Sequence, residues 1–562
     1  MLKSEKNLGG SCPRLVVAAV MSLILFLWVF SLKLAYPEFQ AMRSENPFAE
    51  ISALIPMFSI VVALYLAISL FIVFKYNLDK MASFIILATG AIILWYTPYA
   101  IAGYVKQTDT LWHMGMAANL PDILSGNTMP FASYAVDFPI SYAFGYTVAS
   151  FTGLDVTLLA NYVMPMVYIL LFVFAYFILF CQFVDNKIAM LTTMVSIGLM
   201  YHVALHQSPQ VVGTLLLILC MTLVIQKNWK AALLIAVFIP FTHIISFAFL
   251  GAFLLMYFTF IRGFNHSIKN DCLNKTLIKF IFSVLTILFG LMVVGVIFSD
   301  YLEIFLDRVD ISNAGSFILD NLLDMPWFKL ISSVTYIVTF ILFMSSIYLA
   351  YRKRFGSLRQ VGCAIRQVEP KTLLLITLPP ICLVSGIVIA LADNSAVLIE
   401  RGVAFFMLFA TLFMMTQLAT FTNPKNRSLI TIIIVLAVCI PAFVYPFASY
   451  SIDSYNSFPI SEQRGLEHLV YRINVQNVSI EMSSPGQLDA YISPENNVTL
   501  RLYGGQQYDF IIFRKHAEIR QFVHDPDSRD IEIRFHSLGQ NISYAKIYSN
   551  PNFAVFMQTA GG

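Results

Sequence analysis

Runs of about 20 predominantly apolar residues, the length that crosses the hydrocarbon core of a bilayer, recur along this chain from Leu15 to Ser449 and then stop. In lipid a backbone must satisfy its own polar groups, so runs of this kind fold as helices. Composition agrees: 58% of the 562 residues are hydrophobic and 12% are charged, with a mean hydropathy of +0.74, outside the range of water-soluble globules. The expected architecture is a polytopic α-helical membrane protein carrying a small extracytoplasmic α/β or α+β domain at its carboxyl end.

The first run, Leu15 to Ala35, follows Lys3, Lys6 and Arg14 and has Lys33 and Tyr36 where a signal cleavage site needs small residues, so it reads as a retained helix. Further spans are expected near 52–74, 82–104, 157–181, 188–204, 209–226, 277–298, 329–350, 371–392, 401–421 and 428–449. The stretch from Lys230 to Ile261 is too long for one ordinary span. It is interrupted by Pro240, Thr242 and His243, which splits it into two short helices meeting at the outer surface. Thirteen spans result. The Lys/Arg-rich loops, Arg262–Lys275 and Arg352–Lys371, take the cytoplasmic side, together with Lys75, Lys80, Lys187, Lys227, Lys230, Lys425 and Arg427. The amino terminus is then cytoplasmic, the carboxyl domain is outside, and the chain is a multi-pass protein of the plasma membrane. Ala135–Phe151 carries Asp137 and Pro139 and reads as juxtamembrane or re-entrant. Counting it as a span and fusing Lys230–Ile261 into one would put Lys227 and Lys230 outside.

Four regions follow: 1–104, amino-terminal spans; 105–156, an exterior loop with juxtamembrane helices; 157–449, a helical core; and 450–562, the soluble domain. In the last, Tyr508–Lys515, Asp530–Leu538 and Phe553–Gln558 alternate with a period of two and predict strands, while Ser461–Ile473 has helical spacing. Three sequons, at Asn477, Asn497 and Asn541, fall in this domain. None of the seven cysteines does, so no disulfide framework is available to it. The net charge of +3 lies in the cytoplasmic loops and reports orientation; a nucleic-acid partner is not implied.

The stretch from Lys106 to Pro139 is long, polar and placed against the bilayer. Asp109 and His113 are four residues apart and share a face if the segment is helical, with Trp112 and Met116 beside them. A carboxylate beside an imidazole suits proton abstraction from an acceptor hydroxyl. A plainer reading makes Asp109 a helix cap and His113 a solvated neighbour. The exterior face also receives His202, His206 and His243, which with Asp137 and Trp112 are candidates to line a cavity, although a histidine at a helix end is commonly structural.

With these features the chain resembles the GT-C class of integral-membrane glycosyltransferases, among them protein O-mannosyltransferases and lipid A aminoarabinose transferases. The resemblance rests on four features: the Asp-bearing first exterior loop (TDTLWHMGMA, with Gly126, Pro139 and Gly153-Leu-Asp following), the short helices after it, DNSAVLIERG at 393–402, and an exterior carboxyl-terminal domain. It implies a polyprenyl (dolichyl-type) phosphate-linked sugar as donor and a glycan, lipid or protein as acceptor. Asp109 would be the base with His113 second to it, and Arg401, with Glu400 beside it, would be the match for the group that meets the donor phosphate. A guanidinium suits phosphate oxygens; Arg401 also fits an anchoring role beside Glu400 and Asp393. The chain departs from oligosaccharyltransferase subunits, having neither a DxD at Asp109-Thr-Leu nor a WWDYG motif. Asp122 or Asp137 is compatible with completing a divalent-metal site with Asp109, so no cofactor is assigned and the metal stays open. The expected reaction is an inverting transfer of one sugar. A secondary transporter and a non-catalytic envelope scaffold or related polymerase are the competing classes.

Overall fold

The computed structural model describes residues 14–45, 55–102, 108–125, 133–154, 158–199, 208–258, 340–348, 374–375, 377–380, 382 and 396–421, and the segments 479–482, 499–501, 510–514, 544–550 and 553–558. The expected spans at 277–298 and 428–449, and the segments Ser461–Ile473 and Asp530–Leu538, lie outside them.

Long helices come first: α1 (Arg14–Glu45), α2 (Ile55–Lys75) and α3 (Lys80–Ala91), the last continued by a π-helical turn, Ile92–Tyr96, into α4 (Thr97–Ala102). Four short helices follow, α5 (Thr108–Ala118), α6 (Leu120–Leu124), α7 (Ser133–Asp137) and α8 (Pro139–Thr152). A second π-helical turn, Leu159–Val163, opens α9 (Met164–Phe180), followed by α10 (Asn186–Leu199), α11 (Pro209–Ile225), α12 (Trp229–Phe238), α13 (Ile244–Tyr257) and α14 (Ala396–Phe421). Two described segments, Arg14–Pro37 and Phe58–Lys75, are long and apolar enough to cross a membrane; several of the others are shorter apolar helices.

Local chemistry sets the helix starts. Asp79 caps α3, its Oδ1 accepting from the Ala82 N–H at 2.8 Å. Asp185 does the same for α10, accepting from Ile188 at 2.9 Å. The Ala82 N–H and the guanidinium of Arg14, which donates to Asp79, hold the Asp79 carboxyl below the usual carboxylate range. Asn186 Nδ2 donates to the Leu78 carbonyl at 2.9 Å and to Ser83 Oγ at 2.8 Å. Lys187 lies over the Phe74 ring at 4.6 Å. One end of the bundle therefore gathers Arg14, Lys75, Lys80 and Lys187, the cations that the sequence assigns to a single side.

Between the ends the core is apolar, with Ile86, Trp95, Ile169, Phe172, Tyr176, Phe180, Met194 and Val211 among its most buried members. The π turn at Ile92–Tyr96 lets the Trp95 indole N–H reach the Ile197 carbonyl at 2.6 Å, tying α3 to α10. α3, α9 and α10 pack on one another, α11 packs on α9, and α14 packs on α10, with the Phe405 ring tilted against that of Phe249 of α13, centroids 4.8 Å apart.

The carboxyl-terminal region forms a five-stranded sheet of β1 (Ser479–Met482), β2 (Thr499–Arg501), β3 (Phe510–Arg514), β4 (Tyr544–Asn550) and β5 (Phe553–Gln558), in the order β2-β1-β3-β5-β4. β1 runs parallel to β2 and to β3, while β5 is antiparallel to both β3 and β4. Two of the three strands expected from alternation are strands here: β3 lies within Tyr508–Lys515 and β5 spans Phe553–Gln558. β1, β2 and β4 are additions.

Candidate functional site

The short helices α5–α8 form a layer with a small core of its own, Met116, Ala117, Leu120, Ile123, Ala135, Phe138 and Tyr142. Pro139 stands in the first turn of α8, where its missing N–H costs nothing, and Gly153 closes the helix in the left-handed conformation at φ 62°. Gly145 lets α5 approach α8 closely, since a Cβ there would lie 2.9 Å from that of Ala117. The layer sits on the bundle through Met114 and through Phe144, which meets Tyr168 of α9 with ring centroids 6.0 Å apart.

α5 is helical from Thr108, so Asp109 lies in its first turn, one turn before His113, and a carboxylate there is favoured by the helix dipole. His113 is 7% exposed, and its Nδ1 stands 2.8 Å from the hydroxyl of Tyr142, itself 2% exposed. This burial removes the solvated-neighbour reading of His113. The direction of the hydrogen bond depends on the ring's tautomer: with hydrogen on Nδ1 the ring donates to the phenol oxygen, and its Nε2 carries the basic lone pair.

Adjacent to Tyr142, Ser141 joins the layer to the bundle. Its hydroxyl is shared between the carbonyls of Thr242 at 3.3 Å and Pro209 at 3.4 Å, and the Ile140 N–H donates to the Phe241 carbonyl at 3.3 Å. The start of α8 thus meets the start of α11 and the break between α12 and α13. The break falls at Pro240, Thr242 and His243, as the sequence indicates. His243 is 6% exposed, with Nδ1 3.3 Å from Ser246 Oγ.

Of the other expected site residues, Asp137 ends α7 and is exposed, as is Asp122 in α6. Trp112 is on α5, and Glu400 and Arg401 are in the first two turns of α14; for these, as for Asp109, the helix position is described. His202 and His206 lie outside the described residues. The structure therefore brings His113 to Tyr142, and brings the backbone at Thr242, the residue before His243, to the adjacent Ser141. Sequence reasoning missed Ser141 and Tyr142; their one signal was a pair of adjacent hydroxyls two residues after Pro139. Among the described residues no three His, Cys, Asp or Glu side chains gather as a metal site requires. No protein-family model matches the sequence, and no curated protein matches it.

Proposed function

We propose that the chain is a polytopic membrane glycosyltransferase of the GT-C kind, with its short-helix layer and carboxyl-terminal domain on the extracytoplasmic face. The observation that carries the reading is the buried His113–Tyr142 pair, one turn from Asp109 and joined through Ser141 to a break in the helical bundle. A hydrogen-bonded, buried imidazole one helical turn from an aspartate position is an arrangement suited to moving a proton from a hydroxyl. The location supports the same reading, because the layer lies at the end of α11 remote from Lys227 and Lys230, on the side where an acceptor arrives from outside.

In the proposed step, an acceptor hydroxyl attacks the anomeric carbon of a polyprenyl-phosphate sugar. The new C–O bond forms as the bond to the phosphate oxygen breaks, the acceptor proton passes to the Asp109 carboxylate, and polyprenyl phosphate leaves. A single displacement inverts the anomeric configuration. His113, held by Tyr142, orients the acceptor or takes the proton onward, and Arg401 meets the phosphate. Whether a divalent cation joins Asp109 is decided by the chelator dependence of the same assay. A carrier is the second reading, favoured by the α12–α13 break, since interrupted helices line transport sites.

The test is sugar transfer from labelled polyprenyl-phosphate donors by the full chain in lipid. Transfer by the native protein that falls about a hundredfold or more in Asp109→Asn supports the assignment. Absence of transfer with every donor, together with substrate counterflow in proteoliposomes, establishes the carrier instead.

A further inference from the structure

Four cations, Arg14, Lys75, Lys80 and Lys187, collect where α1, α3 and α10 begin and α2 ends. Short, directed links hold these helix ends together. Arg14 donates to Asp79, the residue before α3. Asn186, at the start of α10, donates to the Leu78 carbonyl at 2.9 Å and to Ser83 Oγ at 2.8 Å. Lys75 stands in the last turn of α2, where the helix dipole favours a cation.

Two carboxylates stand among these cations, and both are engaged as helix caps. Asp79 accepts from Arg14 and from the Ala82 N–H, and Asp185 accepts from the Ile188 N–H at 2.9 Å. Lys75 and Lys80 have no carboxylate partner among the described residues. Lys75 Nζ lies 4.9 Å from the Phe71 ring centroid and 5.4 Å from that of Tyr76, and Lys187 Nζ lies 4.6 Å from that of Phe74. Contact with a ring face steadies an ammonium without neutralising it. Phe71 and Phe74 are three residues apart on α2 and share a face, so Lys75 and Lys187 flank one strip of that helix. Phe71 is itself 57% exposed, and so is Met81 in the first turn of α3. Cations steadied over exposed apolar rings at a membrane boundary match a molecule with an anionic head and hydrocarbon tails.

We infer that this end of the bundle binds an anionic phospholipid of the cytoplasmic leaflet. Lys75 and Lys187 take the headgroup phosphate, Lys80 adds to the attracting field, and the acyl chains lie along the exposed Phe71 face of α2. A zwitterionic lipid is disfavoured, because its own cation offsets the phosphate, and free phosphate lacks the tails that the exposed rings receive. The inference rests on the membrane-spanning reading and is independent of sugar transfer.

The experiment is native mass spectrometry of the full chain in detergent, titrated in turn with phosphatidylglycerol and with phosphatidylcholine of the same acyl chains. The first phosphatidylglycerol should bind about tenfold tighter than phosphatidylcholine. Lys75→Gln and Lys187→Gln should each weaken phosphatidylglycerol binding about fivefold, and together they should abolish the preference. The thermal midpoint should stay unchanged, because glutamine forms helix about as well as lysine. Lys75→Arg keeps the charge and should keep the preference. Lys33→Gln removes a like charge far along α1 from Arg14 and should change nothing. Equal affinity for the two lipids, a preference that survives the double variant, a preference lost equally in Lys33→Gln, or displacement of the lipid by inorganic phosphate overturns the site. Any of these in a chain that requires detergent leaves the membrane reading standing. A chain that stays monodisperse without detergent removes the membrane reading and the site together.

Discussion

Helices α8 and α9 touch through Phe144 and Tyr168, yet they are built on different terms. α9, MPMVYILLFVFAYFILF, is apolar almost throughout and buries Ile169, Phe172, Val173, Tyr176 and Phe180 in the bundle core. Its position follows from removing hydrocarbon from water or packing it against other hydrocarbon. α8, PISYAFGYTVASFT, carries hydroxyls along its length and leaves Phe151 87% exposed. Two of its hydroxyls turn back on their own helix, Thr147 to the Ala143 carbonyl at 2.7 Å and Thr152 to the Val148 carbonyl at 2.8 Å. Those of Ser141 and Tyr142 reach other elements instead, and they fix where the layer sits and how His113 is held. Packing supports the bundle, whereas directional bonds position the layer and His113.

That contrast predicts which substitutions harm folding and which harm function. The largest stability loss is expected at Gly90 in α3, where a Cβ would lie 2.2 Å from the hydroxyl of the buried Tyr65, itself bonded to the Ile86 carbonyl at 3.1 Å. Gly90→Ala should cost about 3 kcal/mol, read as a lowered thermal midpoint in detergent, with transfer per folded molecule unchanged. Tyr142→Phe should do the opposite, lowering transfer about tenfold while costing about 1 kcal/mol of stability. Equal losses of both in Tyr142→Phe would break the distinction.

Smaller effects sharpen it. Gly145→Ala presses on Ala117 and should cost about 1 kcal/mol by overpacking, loosening α5 from α8, which hydrogen exchange in α5 would register. Smallest is Asp79→Ala at the opposite end of the bundle. Loss of a cap costs about 1 kcal/mol, and the side chain is 41% exposed, so solvent screening reduces the share due to Arg14. Because the folded-state pKa is depressed, this contribution is fully present above the ordinary carboxylate pKa. It is lost as pH falls through the lower folded value, so the stabilities of the native chain and Asp79→Ala should begin to approach each other below about pH 4 and meet only below that folded value.

Much of the bundle was legible because hydropathy records which residues avoid water. The apolar runs give α2, α9 and α11, and Pro240 with His243 marks the break before α13. Hydropathy does not record which helices meet. The His113–Tyr142 bond joins residues 29 apart, and the Ser141–Thr242 bond residues 101 apart, with no local pattern announcing either. In the sheet, β3 and β5 alternate cleanly and could be read. β1 and β2 span four and three residues, too short for a period to register, and β4 has a register shift between Lys546 and Tyr548 that breaks the alternation. Of the site, Asp109, His113 and His243 were legible by residue type; the bonds that Ser141 and Tyr142 make were not.

The most direct test of the account compares sugar transfer by His113→Gln in the layer with that by Gly90→Ala in the bundle, each normalised to folded protein in lipid. The account predicts a fall of about a hundredfold or more for His113→Gln and an unchanged rate for Gly90→Ala. A His113→Gln chain that transfers sugar at the native rate contradicts it.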